Sequence, residues 1–232
     1  MATFALSQHK IKEVACYTAS QFLFSGNAHS RDKPVHEIAN LTGYPAKSVY
    51  RYVKWLINRN WIGKSPYGRY YFRSFERIRD MEYWKYSRAV IMRMNNFENI
   101  TAFFTATVLT SLTETAARWS CQRGSSKPAG RPVSYKAFAN TLEVSERYAV
   151  KLIKTAKKNN YIDVEPNLPR VINITPKELK AAKFHKVESL PVKLFGYADT
   201  FYVSVDRIRF IDGDLHLQRP NLINSNLSLK AR

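Results

Sequence analysis

The sequence predicts a mainly α protein with small β hairpins, an α+β class, on three observations. Apolar residues recur at steps of three and four along most of the chain as far as about Val187, the spacing of a helix with one buried face. One stretch is used twice at a constant offset of 100, Ala39 standing against Ala139. From Pro191 the apolar period changes to two, which is the period of a strand.

The first copy of the repeated stretch runs from Val35 to Leu56. Ile38, Ala39 and Leu41 give a short helix its apolar side. Thr42-Gly43 ends that helix, because glycine accepts the left-handed conformation of a helix terminus without steric cost. Pro45 opens the next helix, where a missing N–H is harmless. Val49, Val53 and Leu56 fall at i, i+4 and i+7 and form a core-facing stripe. Lys47, Arg51, Lys54 and Asn58 lie on the opposite, cationic face.

The second copy, Val133 to Lys154, aligns with the first without gaps. Asn40 meets Asn140, Lys47 meets Arg147, Arg51 meets Lys151 and Lys54 meets Lys154. Asn60, Ile62 and Pro66 recur as Asn160, Ile162 and Pro166. A helical stretch precedes each copy at about the same distance. A single match of this kind is common by chance, whereas two in register with the same flanking elements are not.

The pattern E-I-A-x-x-T-G-x-P-x-x-S-V-x-R-x-V-x-x-L (Glu37 to Leu56), followed by Asn60-Trp61-Ile62 and an aromatic, basic hairpin, resembles the winged helix-turn-helix superfamily of DNA-binding domains. The resemblance implies tandem winged helices over 1–75 and 99–176. A connecting helix over 76–98 and a C-terminal extension over 177–232, with a helix and β hairpins, complete the expected organisation. It also implies recognition helices in the major groove and wings on phosphate or in the minor groove. On the first helix the corresponding positions are Lys47, Tyr50, Arg51 and Lys54, and on the first wing Lys64, Arg69 and Arg73. On the second helix they are Arg147, Lys151, Lys154 and Lys158. Arginine reads guanine edges bidentately, while lysine more often holds phosphate. Some winged helices bind only protein, which is the competing reading of the same pattern.

The remaining elements follow in order. Ile11, Val14, Ala15, Thr18 and Phe22 predict a helix from about Gln8 to Phe24, with Cys16 as a small buried hydrophobe. Residues 26–34 read as a loop, and His9 and His29 as incidental. Trp61-Ile62-Gly63 and Arg69 to Arg73 read as strands around the turn Lys64 to Gly68. Phe75 to Met94 reads as a charged helix, a connector or a two-fold dimerisation element. Ile100 to Gln122 is the helix before the second copy, and Arg123 to Pro132 a basic loop. In the second copy Glu143-Val144 replaces the Thr-Gly turn, with Ser145 as the next N-cap; Glu146 either accepts from a cytosine amino group or only favours that helix's N-terminus. Tyr161 to Ile174 reads as the second wing, where Asp163 and Glu165 repel phosphate.

Thr175 with Glu178 forms a capping box for a helix to about Val187. Val192 to Phe195, Phe201 to Val205 and Arg207 to Ile211 read as strands, and Asp212-Gly213 as a hairpin turn leading into Asp214 to Leu217. This tail either extends the second wing's sheet, docks between domains or pairs between subunits. Asn221 to Arg232 reads as loose chain.

A net charge of +19 over 232 residues points to a polyanionic partner, nucleic acid before an anionic membrane. A hydrophobic content of 45% excludes a merely disordered basic tail. Two distant cysteines, Cys16 and Cys121, suggest a reducing compartment. The amino-terminal residues lack a signal layout, so the chain reads as soluble, cytoplasmic and nucleoid-associated. It has no phosphate-binding glycine loop, no zinc spacing and no catalytic constellation. The sequence is therefore read as a non-enzyme without cofactor or metal, although its tyrosines leave a DNA-attacking nucleophile open by inventory. The expectation is a sequence-specific double-stranded DNA-binding protein, most simply a transcriptional regulator. The alternatives are a plasmid or phage replication initiator and a structural packaging protein, and the implied protein partner is the replication or transcription machinery. A homodimer is compatible with each.

Overall fold

The stripe Val49, Val53 and Leu56 becomes a buried helix face, as does its counterpart in the second copy. The computed structural model describes residues 1–24, 33–84, 90–121 and 131–227, with the side chains of all but 33, 114–121 and 131. The mixed α+β chain begins with α1 (Ala2–Ser7) and α2 (Ile11–Phe24). The first copy then forms α3 (Lys33–Thr42), α4 (Ala46–Asn58) and the strands β1 (Ile62–Lys64) and β2 (Tyr70–Phe72). After α5 (Phe75–Met81) and a single turn of 3₁₀ helix (Met94–Phe97) comes α6 (Ile100–Cys121). The second copy follows with β3 (Arg131–Pro132), α7 (Tyr135–Leu142), α8 (Glu146–Lys158) and β4 (Ile162–Asn167). The offset of 100 thus holds at both ends of α4 and α8 and at the start of β1 and β4.

The recurring asparagines explain why both helices stop where they do. Asn60 and Asn160 take left-handed conformations, with φ of 63° and 57°. The N–H of Trp61 then donates to Leu56 O at 2.9 Å and that of Asn60 to Ile57 O at 2.8 Å. Tyr161 and Asn160 repeat the pair on Ala156 O and Lys157 O at 3.1 and 3.0 Å. This paired closure satisfies the last carbonyls and turns the chain into the strand, so that Ile62 and Ile162 are both fully buried.

The turns before these helices differ. Gly43 adopts φ 69°, whereas Glu143, its counterpart, holds φ 55° despite its side chain. Pro45 lies at the N-cap of α4, one residue before the helix, and Ser145 caps α8 by accepting from Tyr148 N–H.

Three expectations are corrected. The helix predicted from Phe75 to Met94, the core of the 76–98 connector, ends at Met81. Tyr83 turns left-handed, φ 55°, and Trp84 N–H closes back on Arg79 O at 3.0 Å; residues 85–89 lie outside the described residues. The helix predicted from Gln8 is preceded by a separate one, α1, whose Ala5 and Leu6 are fully buried. The second hairpin, predicted within Tyr161 to Ile174, does not close on itself. β4 pairs instead with β10 (Arg219–Ser225), in the register Ile162↔Ser225, Val164↔Ile223 and Glu165↔Leu222. β10 also pairs with β3, giving the sheet order β3-β10-β4. The stretch from Asn221 to Ser225, predicted loose, is therefore the middle strand of a sheet.

The proline pattern gives the physical reason why the second hairpin does not close on itself. Pro166 and Pro220 both lack an N–H and meet where the β4–β10 register shifts, between Glu165↔Leu222 and Asn167↔Arg219. Beyond that bulge β5 (Arg170–Val171) departs to pair with β9 (Asp214–Leu217), leaving its Val171 in another core. That core belongs to a unit inserted between β4 and β10. It comprises α9 (Pro176–Phe184), the hairpin β6 (Ser189–Lys193)–β7 (Thr200–Ser204), and the sheet β5-β9-β8 with β8 (Ile208–Ile211) at its edge. Thr175 and Glu178 form the predicted capping box, and Asp212 and Gly213 form the hairpin turn with φ of 49° and 91°.

Both copies contribute to one buried cluster, from Leu6 and Val14 through Leu56 and Trp61 to Leu142, Ile153 and Ile223. α1 packs on α2, α6 and α7 and so reaches both copies. The insert has its own smaller cluster around Val192, Leu194, Ile208 and Leu215. Among the described residues no helix is long and apolar enough to cross a membrane.

Candidate nucleic-acid interface

Burial of Val49, Tyr52, Val53 and Leu56 fixes the rotation of α4. The opposite face then presents Lys47, Tyr50, Arg51 and Lys54, all exposed. α8 is set in the same way by Ala149, Leu152, Ile153 and Ala156, and it exposes Arg147, Lys151, Lys154 and Lys158. Among the described residues no carboxylate forms an ion pair with any of these seven cations. Arg51 lies over the ring of Tyr52, 5.4 Å from its centre, which braces the guanidinium without neutralising it. Unpaired charge at helical spacing on a rigid stripe repels itself and is relieved by a polyanion.

The β1–β2 hairpin follows α4 in the register Ile62↔Phe72, Gly63↔Tyr71 and Lys64↔Tyr70. Its turn is held by Ser65 N–H to Arg69 O at 2.8 Å and Gly68 N–H to Ser65 O at 2.9 Å. Lys64 and Arg69 are exposed, and Tyr67 stands at the tip. The Tyr71 ring lies across Gly63, where a Cβ would come within 1.8 Å of it and displace that exposed side chain.

Arg73, predicted to touch DNA, has an internal role. Its Nε–H donates to Asn60 O and its Nη2 to Asn60 Oδ1, both at 2.6 Å. Its carbonyl accepts from Tyr17 Oη and Gln21 Nε2, both at 2.9 Å. Arg73 therefore ties the base of the hairpin to α2 and to the left-handed turn after α4.

Glu82 is a second brace. Its carboxylate accepts from Arg59 Nε at 2.7 Å and Nη2 at 2.6 Å, and from Trp61 Nε1 at 2.7 Å. Desolvation by burial raises its pKa, but these hydrogen bonds and the Arg59 charge outweigh it and hold the carboxyl below its ordinary value. The brace closes an aromatic cluster of Phe4, Trp55, Trp61 and Trp84 with ring centres 5.4–6.5 Å apart.

The β4–β10 pair carries less positive charge than the first hairpin. Glu165 is exposed, while Asp163 accepts from Asn226 Nδ2 at 3.2 Å. Sequence reasoning missed the braces Arg73 and Glu82, and also His9, whose ring meets Tyr148 of α8 at 5.4 Å. Only the recurrence of Asn60 and Asn160 pointed toward that architecture. Cys16 is buried, and burial pushes its thiol up to about 12, which suits a structural rather than a reactive role. Among the described residues no group of histidine, cysteine, aspartate and glutamate could hold a metal ion.

Comparison of the chain with protein-family profiles, curated proteins and solved structures finds no match.

Proposed function

We propose that the protein is a sequence-specific double-stranded DNA-binding protein built of two tandem winged helices, acting as a transcriptional regulator. The observation that carries this reading is the pair α4 and α8. Both occupy equivalent places 100 residues apart, both bury one face, and both present unpaired cations on the other. Each runs through a left-handed asparagine into a strand, and the order helix, β3, helix, helix, β4, β10 is that of a winged helix with its third strand supplied late. Because the two faces differ in sequence and share one core, the protein reads one composite site with two unlike halves. Arg51 and Arg147 supply base readout, and the lysines with Lys64 and Arg69 hold backbone.

The test is selection of bound duplexes from a random pool at two salt concentrations, followed by Arg51→Glu. A bipartite motif is expected, and Arg51→Glu should lower affinity for it at least ~100-fold in fluorescence anisotropy, through the lost contact and the added repulsion. Uniform recovery with a steep salt slope would instead indicate a packaging role. A recovered site overlapping a promoter supports the regulator, and repeats of it clustered in an origin transfer the role to replication initiation.

A further inference from the structure

The DNA-binding reading leaves unused a groove between the second copy and the insert. It encloses about 800 Å³ and is lined on one side by Ser134 and Ala137 at the start of α7. Phe201 and Tyr202 of β7 line the other side, and Arg207, Arg219 and Asn167 complete it. Its lining contains two arginines and no acidic residue. The Arg219 guanidinium lies over the rings of Tyr197 and Phe201, 5.0 and 5.2 Å from their centres, and is thereby held in place. Among the described residues neither Arg207 nor Arg219 forms an ion pair. Tyr202 is 79% exposed and offers a free ring surface.

This combination differs from the cationic faces of α4 and α8, which are convex and present chiefly charge. A groove that brings the ring-held Arg219 guanidinium, a second arginine and an open aromatic ring together suits a ligand with a flat ring and an anionic group. The insert itself is nearly neutral. Residues 172–218 hold seven lysines and arginines against six aspartates and glutamates, so the arginines of the groove are local features rather than part of a general basic surface.

We propose that this groove binds a nucleotide-like group, with its base stacked on Tyr202 and its phosphate held by Arg207 and Arg219. The same chemistry is offered by a free mononucleotide and by an unpaired nucleotide within a single strand. Ser134 caps α7, the helix that precedes α8, so an occupant touches the element that positions the second cationic face. The inference stands independently of duplex recognition by α4 and α8.

The test is calorimetric titration of the full chain with adenosine monophosphate, adenosine, inorganic phosphate and a short thymidine oligonucleotide. The same titrations on Arg51→Glu/Lys151→Glu remove the contribution of the two helical faces. The nucleotide should bind that variant as it binds wild type, and the oligonucleotide should keep on it the part of its binding that the groove supplies. Tyr202→Ala, at an exposed position, and Arg207→Ala should each weaken binding by roughly ten- to hundredfold. Binding of the mononucleotide identifies a free nucleotide as the source, and binding of the oligonucleotide alone identifies a single strand. The proposal fails if neither binds, if inorganic phosphate binds as tightly as the nucleotide, or if Tyr202→Ala and Arg207→Ala bind like wild type.

Discussion

The two copies end their second helix with the same left-handed asparagine and then close their strands by different routes. In the first, β1 and β2 are joined by a five-residue turn, Ser65 to Arg69. In the second, β4 waits for β10, with the whole insert between them. The comparison separates what the repeat conserves from what it leaves free. The buried stripe, the helix length and the closing turn recur because they build the core. The hairpin is peripheral, so a foreign unit is accommodated there once a bulge with two prolines has released the chain.

The largest expected effect tests the distant closure. Ile223, 1% exposed in the middle strand, becomes a cavity in Ile223→Ala, at a cost of roughly 3 kcal/mol. Because one cluster holds both copies, the fluorescence of Trp55 and Trp61 in the first copy and of Trp84 beside it, followed in a Trp119→Phe background, should report the same lowered Tm as far-UV circular dichroism. Two separated transitions would show that the copies unfold independently.

Next in size is the brace peculiar to the first copy. Glu82→Gln should destabilise by about 2 kcal/mol through loss of charge-assisted hydrogen bonds to Arg59 and Trp61. The carboxyl's pKa is depressed on folding, so its contribution is present above the unfolded value near 4.5 and is lost as pH falls through the lower folded value. Urea melts of wild type and variant should therefore differ at pH 7 and converge as pH falls through the depressed folded value.

The turns provide a smaller and reciprocal test. Glu143→Gly should stabilise by about 1 kcal/mol, since a left-handed non-glycine residue is strained, and Gly43→Ala should destabilise by a similar amount. Equal stability of Glu143→Gly and wild type would mean that the second turn carries no strain.

The smallest effect concerns the hairpins as partners of DNA. Lys64→Ala should flatten the salt dependence of duplex binding by about one unit of slope, and Glu165→Ala should leave that slope unchanged. A flattened slope with unchanged sequence preference assigns Lys64 to the backbone.

Much of this was legible in the sequence because it rests on local spacing. The stripes Val49-Val53-Leu56 and Leu152-Ile153-Ala156 fix two helices and both exposed cationic faces, and Thr175-Glu178 and Asp212-Gly213 fix a cap and a turn. The pairing of β4 with β10 was not legible, since register between strands far apart in sequence leaves no periodic trace. Arg73 and Glu82 were hidden for a related reason. A charged residue on a strand or at a helix end reads as solvent-facing until the partner that folds over it is known, here Asn60 for one and Arg59 with Trp61 for the other. α1 was missed because six residues are too few to display a helical period.

The position of β10 also bears on the order of events during synthesis. It is the middle strand of its sheet in space and the last of the three in the chain. While a ribosome makes the chain from its amino end, β3 and β4 emerge without the strand that joins them, and their edges stay open until residues 219–225 follow. The first hairpin has no such delay. Loop-closure entropy and exposure to other nascent chains therefore fall on the second copy, and a slowed or interrupted synthesis would leave that copy's sheet edges available for wrong pairing.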